Sequence, residues 1–146
     1  MEILVIDGQG GRIGQQLIKA ILTRYPQVEV TAIGTNSLAT SAMLKGGASQ
    51  GATGENALLV ACRRADVILG PLGIVIADAL MGEISPAMAG EMETWRRAFC
   101  REGPWSGGAG LAATLTGYAA TLVTNELELR WGTGDRAAYF AAQTPA

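Results

Sequence analysis

The sequence predicts an α/β fold, an open parallel sheet of at least four strands with helices on both faces. Three observations predict it. An apolar run, Ile3–Ile6, leads through a glycine-rich turn into a segment with helical spacing of apolar residues. A β-branched segment, Val28–Ile33, follows one helix later, as a parallel crossover requires. The short apolar run Val67–Leu69 is typical of a strand buried on both faces. This alternation is Rossmann-like.

Local patterns assign the elements in order. Tyr25-Pro26 ends the first helix, because the residue before a proline is disfavoured in the helical region. Asn36 or Ser37 can cap the second helix, and Thr53 the third. Ser85-Pro86 is a typical cap and first-turn proline. The predicted strands and helices are Glu2–Asp7, Gly11–Arg24, Val28–Ile33, Leu38–Lys45, a short strand within Ala48–Gly54, Glu55–Ala65, Val67–Leu69, an apolar helical segment Ile74–Met81 and Pro86–Arg97.

Composition narrows the function classes. The chain has 146 residues, of which 49% are hydrophobic and 16% charged, which fits one folded domain or one domain with an appendage. A net charge of −2 gives no electrostatic footprint for nucleic acid or an anionic membrane. The absence of histidine excludes Ser-His-Asp and Cys-His catalysis. Two cysteines without a C-x-x-C motif, and a strand that begins at once, predict a reduced, cytoplasmic setting without a signal peptide.

The character of the sequence changes after residue 93. All three tryptophans lie beyond Thr94, and the run Gly103–Asn125 carries no charge. We expect residues 1–93 to form the nucleotide-binding domain. We expect residues 94–146 to form an atypical, poorly ordered C-terminal extension with one strand, Thr121–Leu129. A membrane span over 103–125 is disfavoured, because Pro104 and several glycines and threonines dilute its hydrophobicity.

The turn after the first strand is the candidate ligand site. It follows a G-x-x-G-x-x-G pattern with one additional glycine and resembles the turn of extended short-chain dehydrogenases. Glycines permit a sharp reversal, a close approach of backbone N–H groups to a phosphate, and tight packing of helix on strand. A P-loop is excluded, since Gln15-Gln16 stand where a Lys-Ser/Thr pair is needed. The predicted cofactor-binding residues here are Gly8, Gln9, Gly10, Gly11, Arg12, Ile13 and Gly14. The alternative is a tight connection that binds nothing.

Asp7, directly before this turn, admits two interpretations. Its carboxylate either accepts hydrogen bonds from backbone N–H groups of the turn, which is favoured, or holds a Mg²⁺ that bridges to phosphate.

Further candidates lie at the ends of the other strands. The second strand ends at Gly34 without the usual acid for the adenosine ribose, but Thr35 and Asn36 can hydrogen-bond a ribose or a 2′-phosphate. With Arg12 as the nearest cation, this inclines the prediction towards NADP over NAD. Gly70 and Pro71 fall at the carboxyl end of the fourth strand, where ligands bind open parallel sheets. Caps and turns are the alternative roles for all of these residues.

No catalytic residue is assigned. Tyr118 is followed four residues later by Leu122, so the Tyr-x-x-x-Lys pair of short-chain dehydrogenases is missing. Cys62 lies in an apolar helical pattern and is interpreted as a core residue. Glu83 and Ser85 are interpreted as the entry of a capped helix.

Several blocks of the sequence occur together in one known family. They are Val5–Gly11, Gly34–Asn36, Ala39–Lys45, Gly51–Asn56, Gly70–Ile76 and Gly82–Pro86. Over residues 1–93 the chain thereby resembles the bacterial domain-of-unknown-function family numbered 3842. The resemblance implies a Rossmann-like protein without an established activity, and residues 94–146 do not match it.

Two functions remain as hypotheses. The first is binding of a nucleotide, NAD or NADP in type, at the Gly8–Gly14 turn. The second is a non-catalytic interaction protein whose fold holds no ligand and whose Ile74–Met81 segment pairs with a second copy.

Overall fold

The computed structural model describes residues 2–102, with side chains up to residue 94. Strands and helices alternate along this part of the chain, as the sequence predicts. The elements are β1 (Ile3–Asp7), α1 (Arg12–Arg24), β2 (Val30–Gly34), α2 (Ser37–Lys45), β3 (Gln50–Thr53), α3 (Glu55–Cys62), β4 (Val67–Leu69), a 3₁₀ turn (Leu72–Val75), a four-residue segment α4 (Ala79–Gly82) and α5 (Pro86–Glu102).

The four strands form one parallel sheet in the order β3-β2-β1-β4. β2 pairs with β1 along its whole length, so that Gly34 lies opposite Asp7. β4 pairs with Ile3–Val5 alone, and the carboxyl end of β1 therefore projects beyond β4. From β1 the chain builds outward to β3 and then crosses back to β4 on the other side of β1. The carboxyl ends of β1 and β4 thus flank the point at which the strand order reverses.

The core consists of two layers, one on each face of the sheet. Ile3 and Val5 contribute to the layer beneath α1 and α2, and Leu4 and Ile6 to the layer beneath α3 and α5. All five residues of β1 are buried. A strand covered on both faces is apolar throughout, which explains the continuous run in the sequence.

The predicted element order and fold class are confirmed, and most boundaries agree within two residues. Asn36 caps α2, its Oδ1 accepting a hydrogen bond from Ala39 N at 2.9 Å. Ser85 Oγ accepts one from Met88 N at 3.2 Å at the start of α5. The prediction that Thr53 caps α3 is wrong. Gly54 occupies the N-cap position without a side-chain hydrogen bond, and Thr53 Oγ1 lies 2.6 Å from Thr40 Oγ1.

The predicted helical segment Ile74–Met81 is also wrong. The chain forms the 3₁₀ turn, an extended residue at Ile76, and then α4, in which Leu80 and Met81 have left-handed dihedral angles. Burial at both ends explains the difference, because Ile74 and Ile84 are both anchored in the layer beneath α3 and α5. The chain between them closes as a loop, and tertiary packing overrides its local helical pattern.

The helix α5 runs to Glu102, beyond the predicted end at Arg97. The uncharged run Gly103–Asn125 and the predicted strand Thr121–Leu129 lie outside the described residues. Within residues 2–102, no helix has the length and apolar character that crossing a membrane requires.

Gly11 sets the distance between α1 and α2. Its φ is +66°, and a Cβ on it would lie 2.6 Å from both the Cα and the carbonyl oxygen of Ala39. This glycine is therefore required by helix packing, independently of any ligand. Its neighbour Gly10 is exposed, and a Cβ there would meet nothing within 4 Å.

These two glycines form a matched pair for mutation. We expect Gly11→Ala to lower the free energy of unfolding by about 3 kcal/mol, since it adds both left-handed strain and a backbone clash. Gly10→Ala should change that free energy by less than about 0.5 kcal/mol. Urea denaturation of both variants measures the difference. Equal midpoints would show that α2 does not approach the turn this closely.

Candidate functional site

The candidate site lies at the carboxyl edge of the sheet, above the ends of β1 and β2. Thr35 N donates a hydrogen bond to Asp7 O at 3.0 Å, which continues the β1–β2 pairing by one residue beyond the strands. The glycine turn and the Thr35-Asn36 pair are thereby brought side by side. Asn36 Nδ2 also donates to Gln9 O at 3.1 Å, so the two loops are directly bonded.

The Asp7 carboxylate organises the glycine turn from below. Oδ1 accepts a hydrogen bond from Gly8 N at 2.8 Å, and Oδ2 accepts one from Gly14 N at 2.7 Å. Asp7 is 4% exposed. Burial raises the pKa of this carboxyl, while the N–H groups of Gly14, Gly8 and Ile13 act against that rise and Glu83 adds to it. The favoured turn role of Asp7 fits this geometry.

The described residues offer no metal site made of side chains alone. Both oxygens of Asp7 accept backbone hydrogen bonds, and no cluster of three His, Cys, Asp or Glu side chains lies within residues 2–102. The alternative of a Mg²⁺ between Asp7 and a phosphate stays a prediction, since that arrangement takes its other ligands from the phosphate and from water.

The glycines of the G-x-x-G-x-x-G pattern are required by packing. A Cβ on Gly14 would lie 2.5 Å from Met43 Sδ, and one on Gly8 would lie 2.7 Å from Glu83 Oε2. Gly8 therefore leaves room for a carboxylate rather than for a phosphate. Gly10, additional to the pattern, is the glycine with open space above it.

Two backbone donors of the turn stay available. Within the described residues, no hydrogen bond engages the N–H of Gly10 or of Arg12, whereas those of Gly11 and Gly14 are bonded within the turn. Arg12 is the first residue of α1, and its side chain is exposed. The first-turn N–H groups of a helix carry partial positive charge and attract anions. This end of the turn can therefore accept a negatively charged group.

Glu83 is the residue that sequence reasoning misplaced. The sequence assigned it to a helix entry, but its Oε2 accepts hydrogen bonds from Gln9 N at 2.8 Å, from Asn36 Nδ2 at 3.0 Å and from Thr35 Oγ1. These bonds hold the pKa of the Glu83 carboxyl below its ordinary value, with Thr35 contributing most. The segment from Asp78 to Glu83 is thereby fastened onto the glycine turn.

Gly70 and Pro71 follow β4 and are both buried. Gly70 packs against the Ile6 carbonyl, and Ile74 Cδ1 would lie 2.8 Å from a Cβ at this position. The Leu80 side chain approaches both Gly8 and Gly73. Gly70 and Pro71 thus lie at the predicted edge, but they are buried by neighbouring parts of the chain.

Two further features lie away from this edge. Cys62 is 1% exposed, and burial raises the pKa of its thiol to about 12, which fits the predicted core role and not a nucleophile. A groove of about 320 Å³ between α3 and the β2–β3 edge is lined by Ile33, Ala52, Val60 and others. It contains none of the predicted site residues.

Comparison with known families gives a match over most of the described residues. The family model for "Domain of unknown function (DUF3842)" matches residues 2–96. The chain belongs to this family. The resemblance inferred from the sequence blocks is therefore confirmed over nearly the same residues. No curated protein and no solved structure matches the DUF3842 chain.

The Asp7 hydrogen bonds give a stability prediction. We expect Asp7→Asn to lower the free energy of unfolding by about 1–3 kcal/mol, because the new NH₂ group faces a backbone N–H and leaves a buried donor unpaired. Asp78→Asn is the matched control: Asp78 is exposed with a φ of +64°, which asparagine tolerates. Urea denaturation compares the two. If Asp7→Asn lowers the free energy of unfolding no more than Asp78→Asn does, the hydrogen bonds of Asp7 do not stabilise the turn.

The Glu83 contacts give a pH prediction. A carboxyl whose pKa is lowered by folding stabilises the folded state above its unfolded pKa, near 4.5, and this contribution is lost as the pH falls through the folded value. At neutral pH, Glu83→Gln should reduce the free energy of unfolding by about 1 kcal/mol. The difference from the parent should shrink in urea titrations stepped down through pH 4.5. Glu29→Gln, at the opposite end of the sheet, controls for net charge. A difference that does not vary with pH would contradict the three contacts.

Proposed function

We propose that this DUF3842 protein binds a nucleotide of NAD(P) type at the carboxyl edge of its sheet. The observation that carries the proposal is the pair of unengaged N–H groups, those of Gly10 and Arg12, at the start of a 13-residue helix. They lie beside the point of strand reversal, where open parallel sheets bind their ligands. Backbone donors at a helix N-terminus suit a phosphate or diphosphate group.

The neighbouring groups support a nucleotide over a free phosphate. Asn36 and Thr35 stand next to the turn, and although their donors are bonded to Gln9 and Glu83, the Asn36 side-chain oxygen and the Thr35 hydroxyl oxygen can each accept a hydrogen bond from a sugar hydroxyl. Their spacing from Gly10 is fixed by bonds between the two loops. A ligand that carries both phosphates and a sugar satisfies both halves of this edge.

Leu80 restricts which part of a dinucleotide can contact the site. Leu80 lies over Gly8 and Gly73, between the ends of β1 and β4. The adenosine diphosphate half of a dinucleotide would contact the open half, above Gly10, Arg12 and Asn36. We therefore expect that ADP binds even without the nicotinamide half of the dinucleotide.

Self-association is the competing function. The segment from the 3₁₀ turn through α4 exposes Leu72 by 46%, Ile76 by 50% and Met81 by 95%. Apolar side chains exposed together favour contact with another surface, and a second copy of the chain is the partner the sequence suggested. Sedimentation of the parent and of Ile76→Lys distinguishes this function, since a dimer through this segment becomes a monomer in the variant.

A thermal-shift and calorimetry series with NAD, NADP, ADP and inorganic phosphate tests nucleotide binding. A ligand at about a hundred times its Kd should add about 2.7 kcal/mol to stability. Gly10→Asp should abolish the shift, since it sets a carboxylate against the diphosphate where the structure has space for it. Gly10→Ala, at the same position, should retain it.

Two results would contradict the proposal. One is the absence of any shift with every nucleotide, which would favour self-association. The other is undiminished binding by Gly10→Asp, which would place the ligand elsewhere on the chain.

A further inference from the structure

We propose that Glu83 recognises the ribose of the bound nucleotide and makes the site selective for NAD over NADP. This inference rests on the proposed function and assigns its sugar subsite. It reverses the preference for NADP that the sequence suggested, because that preference was based on the lack of an acid after β2.

The acid that β2 lacks is supplied by a distant segment. In nucleotide-binding sheets of this order, a carboxylate at the end of the second strand binds the adenosine ribose. Here β2 ends in Gly34, followed by Thr35 and Asn36. Glu83 Oε2 is hydrogen-bonded to both of the following side chains and, at 2.8 Å, to Gln9 N of the glycine turn. A carboxylate therefore occupies the place between the turn and the end of β2.

The two oxygens of this carboxylate have different roles. Oε2 accepts the three hydrogen bonds that orient the group. Oε1 receives none from the residues that the structure describes. An oriented carboxylate with an open oxygen can accept a hydrogen bond from a ribose hydroxyl. The same carboxylate repels a 2′-phosphate.

The backbone that carries Glu83 has an unusual conformation. Asp78, Leu80 and Met81 all have φ between +54° and +64°, a region that residues other than glycine rarely adopt. Such strain persists only where the surrounding contacts determine it, and it is concentrated at ligand-binding sites. Asp78 N donates to Ile84 O at 2.8 Å, which closes the loop and delivers Glu83 to the turn.

Isothermal titration of NAD and NADP into the parent, Glu83→Gln and Asp78→Asn tests the inference. The parent should bind NAD about tenfold or more tighter than NADP, since the two ligands differ by a phosphate set against a carboxylate. Glu83→Gln should weaken NAD binding and remove the preference. Asp78→Asn removes one negative charge from the same loop and should keep the preference, which separates local recognition from net charge.

Three outcomes would overturn the inference. If Glu83→Gln keeps the preference of the parent, Glu83 does not contact the ribose, and nucleotide binding itself stands. If Glu83→Gln binds both nucleotides more tightly, the carboxylate blocks the site instead of reading the sugar. If the parent binds no nucleotide at all, both the proposed function and the ribose subsite are wrong. Far-ultraviolet circular dichroism of each variant verifies that it is folded.

Discussion

The glycine turn depends on one buried carboxylate. Asp7 stands at the last position of a strand that is covered on both faces, and its two oxygens accept N–H groups from opposite ends of the turn. Neutralising the start of α1 from inside the protein fixes where the helix begins. Asp7 does not bond the N–H groups of Gly10 and Arg12, which therefore remain available to a group of a ligand. The Asp7 carboxylate inside the protein and the unbonded N–H groups at its surface thus both belong to the start of α1.

The elements with a local signal could be predicted from the sequence. An apolar run, a glycine turn and a capping asparagine or serine are all properties of neighbouring residues, and β1, α1, Asn36 and Ser85 follow the prediction. Glu83 could not be found in this way. Its partner Gln9 lies 74 positions earlier in the chain, and no spacing rule connects them. The Ile74–Met81 segment failed for the same reason, because burial of its two ends decides its shape.

The glycines illustrate how one pattern can carry several meanings. A G-x-x-G-x-x-G spacing is commonly taken to mark a phosphate site, yet Gly8, Gly11 and Gly14 are each required by a neighbouring part of the protein: a carboxylate, a helix backbone and a methionine. Among the glycines of this turn, Gly10 alone has open space at its Cβ position. Close packing and phosphate binding can thus each require the same glycine pattern. The contacts that a Cβ would make at each glycine distinguish the two requirements.

The close contact of Gly11 with Ala39 has a kinetic consequence. Because Gly11 packs directly against the Ala39 backbone, the starts of α1 and α2 cannot move closer together when a ligand binds. The loop Asp78–Glu83, in contrast, is held on the turn by the Glu83 carboxylate and by Leu80, and is closed by the hydrogen bond from Asp78 N to Ile84 O. A molecule confined to the open half should enter at a rate set by diffusion and electrostatics. A molecule that reached past Leu80 would have to displace this loop, and its association rate would then report how often the loop opens.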